Sequence, residues 1–383
     1  MKPCFAVWTA ALGLSATICA QISPSGAGSE TVAKPKRRTG SPGDAEAASG
    51  ASSADSAAKI PSKLARKSKE DAGTDASFEA ESNVVTVDVA VLDNRGNPIP
   101  NIPKGNFRIL EDNVPQTITQ YSVGEAPLTI ALVVEFSNRF QSFWSEGWYE
   151  TLLAAQGFTQ TLRPNDYIAI VAYDLKPEIL CDFTDNPMKI GEAMQRLQIP
   201  GFSESNMFDA LTDTADRMSK IEGRKAIVLI SSGIDTLSHI TYDKARKLLQ
   251  ESGVPVYPIG ILQLTREILE AQGALGGAQD ITFLQGDNEL RTFAKETGGQ
   301  AFFPRFLQEM PNAFLAINQA LRHEYTLGYS PTNRAKDGKF RKLTVQLVNP
   351  ATNELLRVTD QKGKAMKYTI VAKAGYTAPR AVE

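Results

Sequence analysis

The sequence predicts an α/β protein: a doubly wound, mostly parallel sheet flanked by small antiparallel β-modules. Two rhythms in the chain predict it. Between residues 125 and 323, apolar runs (TIALVVEF, 129–136; DYIAIVAYD, 166–174; KAIVLISSG, 225–233; VPVYPIGIL, 254–262; QAFFPR, 300–305) alternate with helical patterns. Strands apolar along their whole length are buried on both faces, and their alternation with helices implies right-handed parallel crossovers. On either side, at 82–124 and 324–377, the chain returns to short strand patterns; in NVVTVDVAVLD, Val85, Val87, Val89 and Val91 recur in a period of two, the mark of one buried face.

In chain order, the first element is not part of the fold. Residues 1–20, MKPCFAVWTAALGLSATICA, place Lys2 ahead of an apolar run that ends in small residues, the pattern of a secretory signal; the run is short for a bilayer span. Export follows, to the periplasm or beyond it, with association with the cell envelope as one variant. Residues 21–81 are rich in Ser, Ala, Gly and Pro and poor in aromatic and branched apolar residues, so they are expected to form a disordered tether. Its basic patches, KPKRR (34–38) and KLARKSK (63–69), would either touch an anionic surface or remain solvated.

The N-terminal β-module (82–124) contains the turn DNRGNP and a pair of short strands around Asp112–Pro115. Asp93, Asn94 and Asn97 are the residue types of a turn, and no downstream Glu completes a calcium loop. Within the α/β domain the helices are expected near 144–162, 206–221, 242–252, 288–297 and 312–324. PEILCDFT (177–184) follows the preceding strand too closely for a crossover and is expected to be an antiparallel edge. Residues 263–286 are long for a connection and are expected to form a surface loop, with a lid or binding loop as the alternative. YTLGYSP, KFRKLTVQLVN and KYTIVAKAGY supply the C-terminal β-module (324–377).

Length and composition (383 residues, 42% hydrophobic, 22% charged, formal net charge −2) fit an ordinary globular chain and supply neither the global field nor the basic stripe that nucleic-acid binding requires. No segment after the signal is long and apolar enough to span a membrane. Of three cysteines, Cys4 and Cys19 lie in the signal, leaving Cys181, expected in a buried strand. Two histidines, His239 in a loop and His323 at a helix end, lack a G-x-S-x-G elbow or a nucleophile partner in sequence. The glycine-rich GALGGAQ lacks the Lys-Ser/Thr of a phosphate loop.

Ligands of open α/β sheets sit beyond the carboxyl ends of the strands. The residues there are Glu135, Ser137 and Arg139 after the first strand, Ser203, Ser205 and Asn206 with Asp209 one turn into a helix, and Ser231, Ser232 and Asp235 after KAIVLI. With the phrases VDVAVLDNRGNPIPNIPKGNFRILEDNVPQTI, FDALTDTADRM, RKAIVLISSGIDT and YTLGYSPTN, these residues make the chain resemble the von Willebrand factor type A domain, and more narrowly its acidobacterial relatives, over roughly 82–376.

That resemblance implies a protein-binding or adhesion module whose metal-ion-dependent site would hold Mg²⁺ or Ca²⁺. Position by position, the site's first Asp falls on Glu135, its two Ser on Ser137 and Arg139, its Thr on Ser205 and its second Asp on Ser232. A permanent cation replaces an oxygen ligand and a hydroxyl replaces an acid. The expectation is a degenerate site in which Arg139 pairs with Glu135, with no cofactor and an unidentified protein partner. If an ion were held, its ligands would be Glu135, Ser137 and Ser205. The competing readings are a metal-dependent ligand-binding protein or enzyme subunit using those residues with Asp209, and a structural envelope component.

Overall fold

The computed structural model describes residues 84–124, 126–137, 145–197, 202–359 and 365–380. The expected signal and tether, and Arg139, lie outside the described residues.

The fold is mixed α/β. The flanking segments do not form two separate modules; they interleave. The N-terminal segment gives β1 (Val85–Asp93), β2 (Phe107–Glu111), β3 (Val114–Gln116) and β4 (Ile118–Val123). The central segment gives β5 (Leu128–Glu135), α1 (Ser145–Gln160), β6 (Tyr167–Tyr173), β7 (Pro177–Thr184), α2 (Pro187–Gln195), α3 (Met207–Ser219), β8 (Arg224–Ser231), α4 (Tyr242–Ser252), β9 (Val256–Gly260), α5 (Leu262–Ala271), α6 (Gly277–Thr297) and α7 (Met310–Arg322). The chain then adds β10 (Tyr325–Tyr329), β11 (Phe340–Leu347), β12 (Val358–Thr359), β13 (Ala365–Met366), β14 (Tyr368–Ala372) and β15 (Gly375–Thr377).

Strands from both ends of the chain combine in two antiparallel sheets, alternating in β14-β1-β10-β4 and meeting at the β11–β2 pair in β15-β11-β2-β3. Their inner faces share one core that includes Val87, Val89, Phe107, Ile109, Tyr325, Leu327 and Leu343. A half-alternating strand has one apolar face to bury, and each terminal segment alone has too few strands to cover it; pairing β1 with β10 and β2 with β11 closes both faces. The Asp93 carboxylate accepts from the Arg95 and Asn97 amides at 2.8 Å each, which closes the DNRGNP turn.

The central sheet runs β7-β6-β5-β8-β9, parallel except for β7, which pairs antiparallel with β6 at the edge. One face is covered by α1, α2 and α7 and the other by α3, α4 and α6. Cys181 is half-buried rather than buried, because β7 is an edge strand. QAFFPR does not become a strand; it makes a single parallel bridge, Ile259 to Phe302.

Residues 263–286 are not a loop. They supply nearly all of α5 and the first half of α6, closed around Leu262, Leu269 and Phe283, while Gly273 and Gly276 lie in the turn between the two helices and Gly277 opens α6. α2, also unforeseen, starts at Pro187 behind Asn186, whose side chain accepts from the Met188 amide.

Candidate functional site at the strand ends

Register builds the site. β5 lies between β6 and β8, with Glu135 opposite Tyr173 and Val134 opposite Ile230, so the last residues of three parallel strands, Glu135, Tyr173 and Ser231, form one row. Here the chain leaves β5 toward β6 on one side while β8 leads to β9 on the other, the divergence that opens a crevice in doubly wound sheets.

Glu135 is 3% exposed. Its Oε1 accepts from the Ser137 hydroxyl at 2.9 Å. Its Oε2 accepts from the Ser232 amide at 2.7 Å, the Ser232 hydroxyl at 2.8 Å and the Ser231 hydroxyl at 3.0 Å. The Tyr173 hydroxyl is 2.8 Å from Ser231 Oγ and 3.4 Å from the carboxylate, so its single proton is best placed on Ser231. A directed relay results, from Tyr173 through Ser231 to Glu135. Burial raises the Glu135 carboxyl above its ordinary range, against the pull of the Ser232 amide and the serine hydroxyls. Burial, followed by the charge of Glu135, pushes the Tyr173 hydroxyl far up as well, so it stays protonated and donates.

The other expected residues are placed differently. The Ser205 carbonyl accepts from the Thr236 and Leu237 amides at 2.8 and 3.1 Å, and its amide donates to the Thr236 hydroxyl, which clasps the two loops together. Ser205 Oγ and Asn206 Oδ1 are buried without a hydrogen-bond partner among the described residues. Asp235 is turned to α3, where it accepts from the Phe208 amide at 3.0 Å and the Ser238 hydroxyl at 2.5 Å, capping the helix from outside. Asp209 accepts from the His239 amide and lies 2.7 Å from His239 Nδ1. His323 ends α7 with Nδ1 2.8 Å from the Gln319 carbonyl.

The structure thus joins Glu135, Ser137 and Ser232, and sets Asp209 and Asp235 in bonds of their own. Ser231, expected at this strand end, joins them, and Tyr173, not among the expected residues, completes the cluster; a polar residue at the last position of an otherwise apolar strand was the available signal. The expected pairing of Arg139 with Glu135 lies outside the described residues.

A Mg²⁺-type ion takes hard oxygen ligands in octahedral geometry and needs acids to offset its charge. The described donors do not fit it: one buried carboxylate is present, both its oxygens are occupied, and no group of three or more His, Cys, Asp or Glu suited to a metal occurs among the described residues. Of the expected ligands, the Ser137 hydroxyl donates to Glu135, whereas Ser205 is held to Thr236 and Leu237 through its backbone and leaves its Oγ unpartnered among the described residues.

Residues 147–234 match the family model of the von Willebrand factor type A domain. Over that span the chain is similar to the von Willebrand factor type A domain. The matched span includes Ser205, Asp209 and Ser232 and begins after Glu135 and Ser137. Such domains are generally involved in protein binding and adhesion. Comparison with curated proteins finds no match.

Among solved structures, the chain is similar to proximal thread matrix protein 1 of the mussel byssus (15% identity over 52% of this chain and 50% of that one, TM-score 0.39). It is also similar to the von Willebrand factor domain of a type V pilus tip protein from Porphyromonas gingivalis (15% identity, 52% and 95% covered, TM-score 0.39). A third is a von Willebrand factor type A protein from Catenulispora acidiphila (13% identity, 79% and 76% covered, TM-score 0.38). The chain spans about half the length of the mussel protein.

Proposed function

We propose that this chain is an exported, non-enzymatic binding protein whose von Willebrand factor type A domain presents its strand-end loops to a protein partner without a metal ion. The observation that carries this reading is the enclosure of Glu135 by Ser137, Ser231 and Ser232. A carboxylate saturated by its own chain has no lone pair directed at an ion, so contact with a partner falls to side chains around it. Phe202 and Leu237, 50% and 44% exposed, stand on the two loops joined at Ser205 and supply apolar contact area there. No helix among the described residues is long and apolar enough to cross a membrane.

The second reading, metal-dependent ligand binding or catalysis, draws support from one feature, the unpartnered Ser205 Oγ. Partner capture by the full chain in chelator, compared with Phe202→Arg and Leu237→Arg variants, separates the two. The proposal expects capture in chelator and its loss in the variants. Capture that requires a divalent ion would favour the second reading.

A further inference from the structure

The two faces of the central sheet are covered unevenly. α3 lies over β5 and β8, and α4 and α6 continue that layer toward β9, whereas α2, the helix that packs on β6 and β7, belongs to the opposite face. Beside α3 this leaves a groove of about 390 Å³, floored by Ala131, Ala169 and Val171 and walled by Ile179 and Phe183 of β7. Ile179 is 36% exposed there. Ala131, Ala169 and Val171 are themselves buried, so the apolar surface the groove offers is that of Ile179 and Phe183.

The α3 wall of the groove is acidic. Asp209, Asp213 and Asp216 recur at helical spacing along α3 and line the furrow toward α4 together with Glu251. Asp213 and Asp216 also line the groove, with Asp182 of β7. Arg217 and Lys220 pair with Asp213 and Asp216 along the same helix, at 3.0 and 2.7 Å, but these are exposed pairs and easily exchanged for others.

The start of the described chain lies close by. Lys220 lines both this groove and a cleft at the foot of β8 that Val84 and Val85 also line. Ahead of Val84, beyond residues 70–83, the sequence reads KIPSKLARKSK (59–69): Ile60 and Leu64 four residues apart, five cations (Lys59, Lys63, Arg66, Lys67, Lys69) and no acid. A connection of that length spans up to about 50 Å, whereas α3 is only about 20 Å long.

We propose that residues 59–69 dock in cis on the groove between β7 and α3, with Ile60 and Leu64 against Ile179 and Phe183 and the cations along the Asp209, Asp213 and Asp216 stripe. Charge, apolar content and reach agree, and a short tether holds the segment near its own groove at an effective concentration in the millimolar range. The inference is independent of whether the strand-end site holds a metal.

The test places a photo-cross-linking phenylalanine analogue at Ile179 in the full chain and maps the linked peptide by mass spectrometry. The expected result is a link within one chain to residues 59–69, unchanged on dilution and reduced about tenfold by K63E/R66E/K67E. The same probe at Asp182, an exchange on the groove rim, repeats the test if the Ile179 variant does not fold. Links to another segment, links between two chains, or no link in a folded variant would overturn the proposal.

Discussion

Replacing Glu135 tests the enclosure directly. In Glu135→Ala, the hydroxyls of Ser137, Ser231 and Ser232 can rotate toward other acceptors, and Ser231 already has Met207 Sδ at 3.2 Å. The Ser232 amide cannot rotate, and a buried amide left without its acceptor costs about 1–3 kcal/mol. Loss of the buried methylene adds about 1 kcal/mol, so a total near 3 kcal/mol is expected. Glu135→Gln keeps the shape. Its carbonyl can face Ser231 and Ser232 while its amide group faces Ser137, whose hydroxyl turns to accept, so the cost should be about 1 kcal/mol or less.

The pH dependence separates these variants further. Burial raises the Glu135 carboxyl, so the folded chain holds the proton more tightly than the unfolded chain. Its contribution is complete below the ordinary glutamate range and is lost as pH rises through the folded value. Gln carries no such loss, so Glu135→Gln should gain on the wild type as pH rises. The assay is urea unfolding from pH 4 to 8, followed by near-ultraviolet circular dichroism. An alanine variant as stable as the wild type, or a Gln-to-wild-type difference flat with pH, would refute the reasoning.

Three further outcomes follow from the same contacts. Burial, and then the charge of Asp88, raises Glu324 to about 7 despite its bond to Arg224, so its stabilising contribution is intact below about pH 4.5 and lost through about 7; Glu324→Gln should flatten that limb of a stability–pH profile. For Asp166, burial is outweighed by Arg322 and the Leu128 and Arg163 amides, which hold its carboxyl low. Its contribution is present above the ordinary aspartate value and lost as pH falls through the folded one. Asp166→Asn, which strands the Arg322 side chain at 8% exposure, should cost about 3–5 kcal/mol by chemical denaturation at neutral pH. Gly286→Ala should destabilise by about 1–3 kcal/mol although Ala favours helices, because its Cβ would lie 2.9 Å from the Ser232 carbonyl oxygen; a gain in melting temperature would contradict that packing.

Much of the fold was legible because burial on both faces leaves an unbroken apolar run: β5, β6, β8 and β9 all announce themselves this way, and β7 follows β6 too closely to be anything but a hairpin partner. The interleaved sandwich was not legible, since β1 meets β10 across more than 200 residues and nothing local encodes that register. α5 and the start of α6 were obscured by Gly273, Gly276 and Gly277, which read as a loop but fall in the short turn and at the first residue of α6, and α2 by a proline that begins it rather than breaking it. At the site, Glu135, Ser137 and Ser232 could be found by position, after a strand. Ser231 could be found in the same way, whereas Tyr173 needed the pairing register that puts three strand ends in one row.

The central claim is that serine hydroxyls and an amide occupy the place of a metal ion. Calorimetric titration with Mg²⁺, Mn²⁺ and Ca²⁺ tests it most directly, on the wild type and on an Arg139→Ser, Ser232→Asp double variant that restores an oxygen ligand and a second acid. The account predicts no binding heat from the wild type and saturable binding by the variant. Saturable binding of any of these ions by the wild type would contradict it.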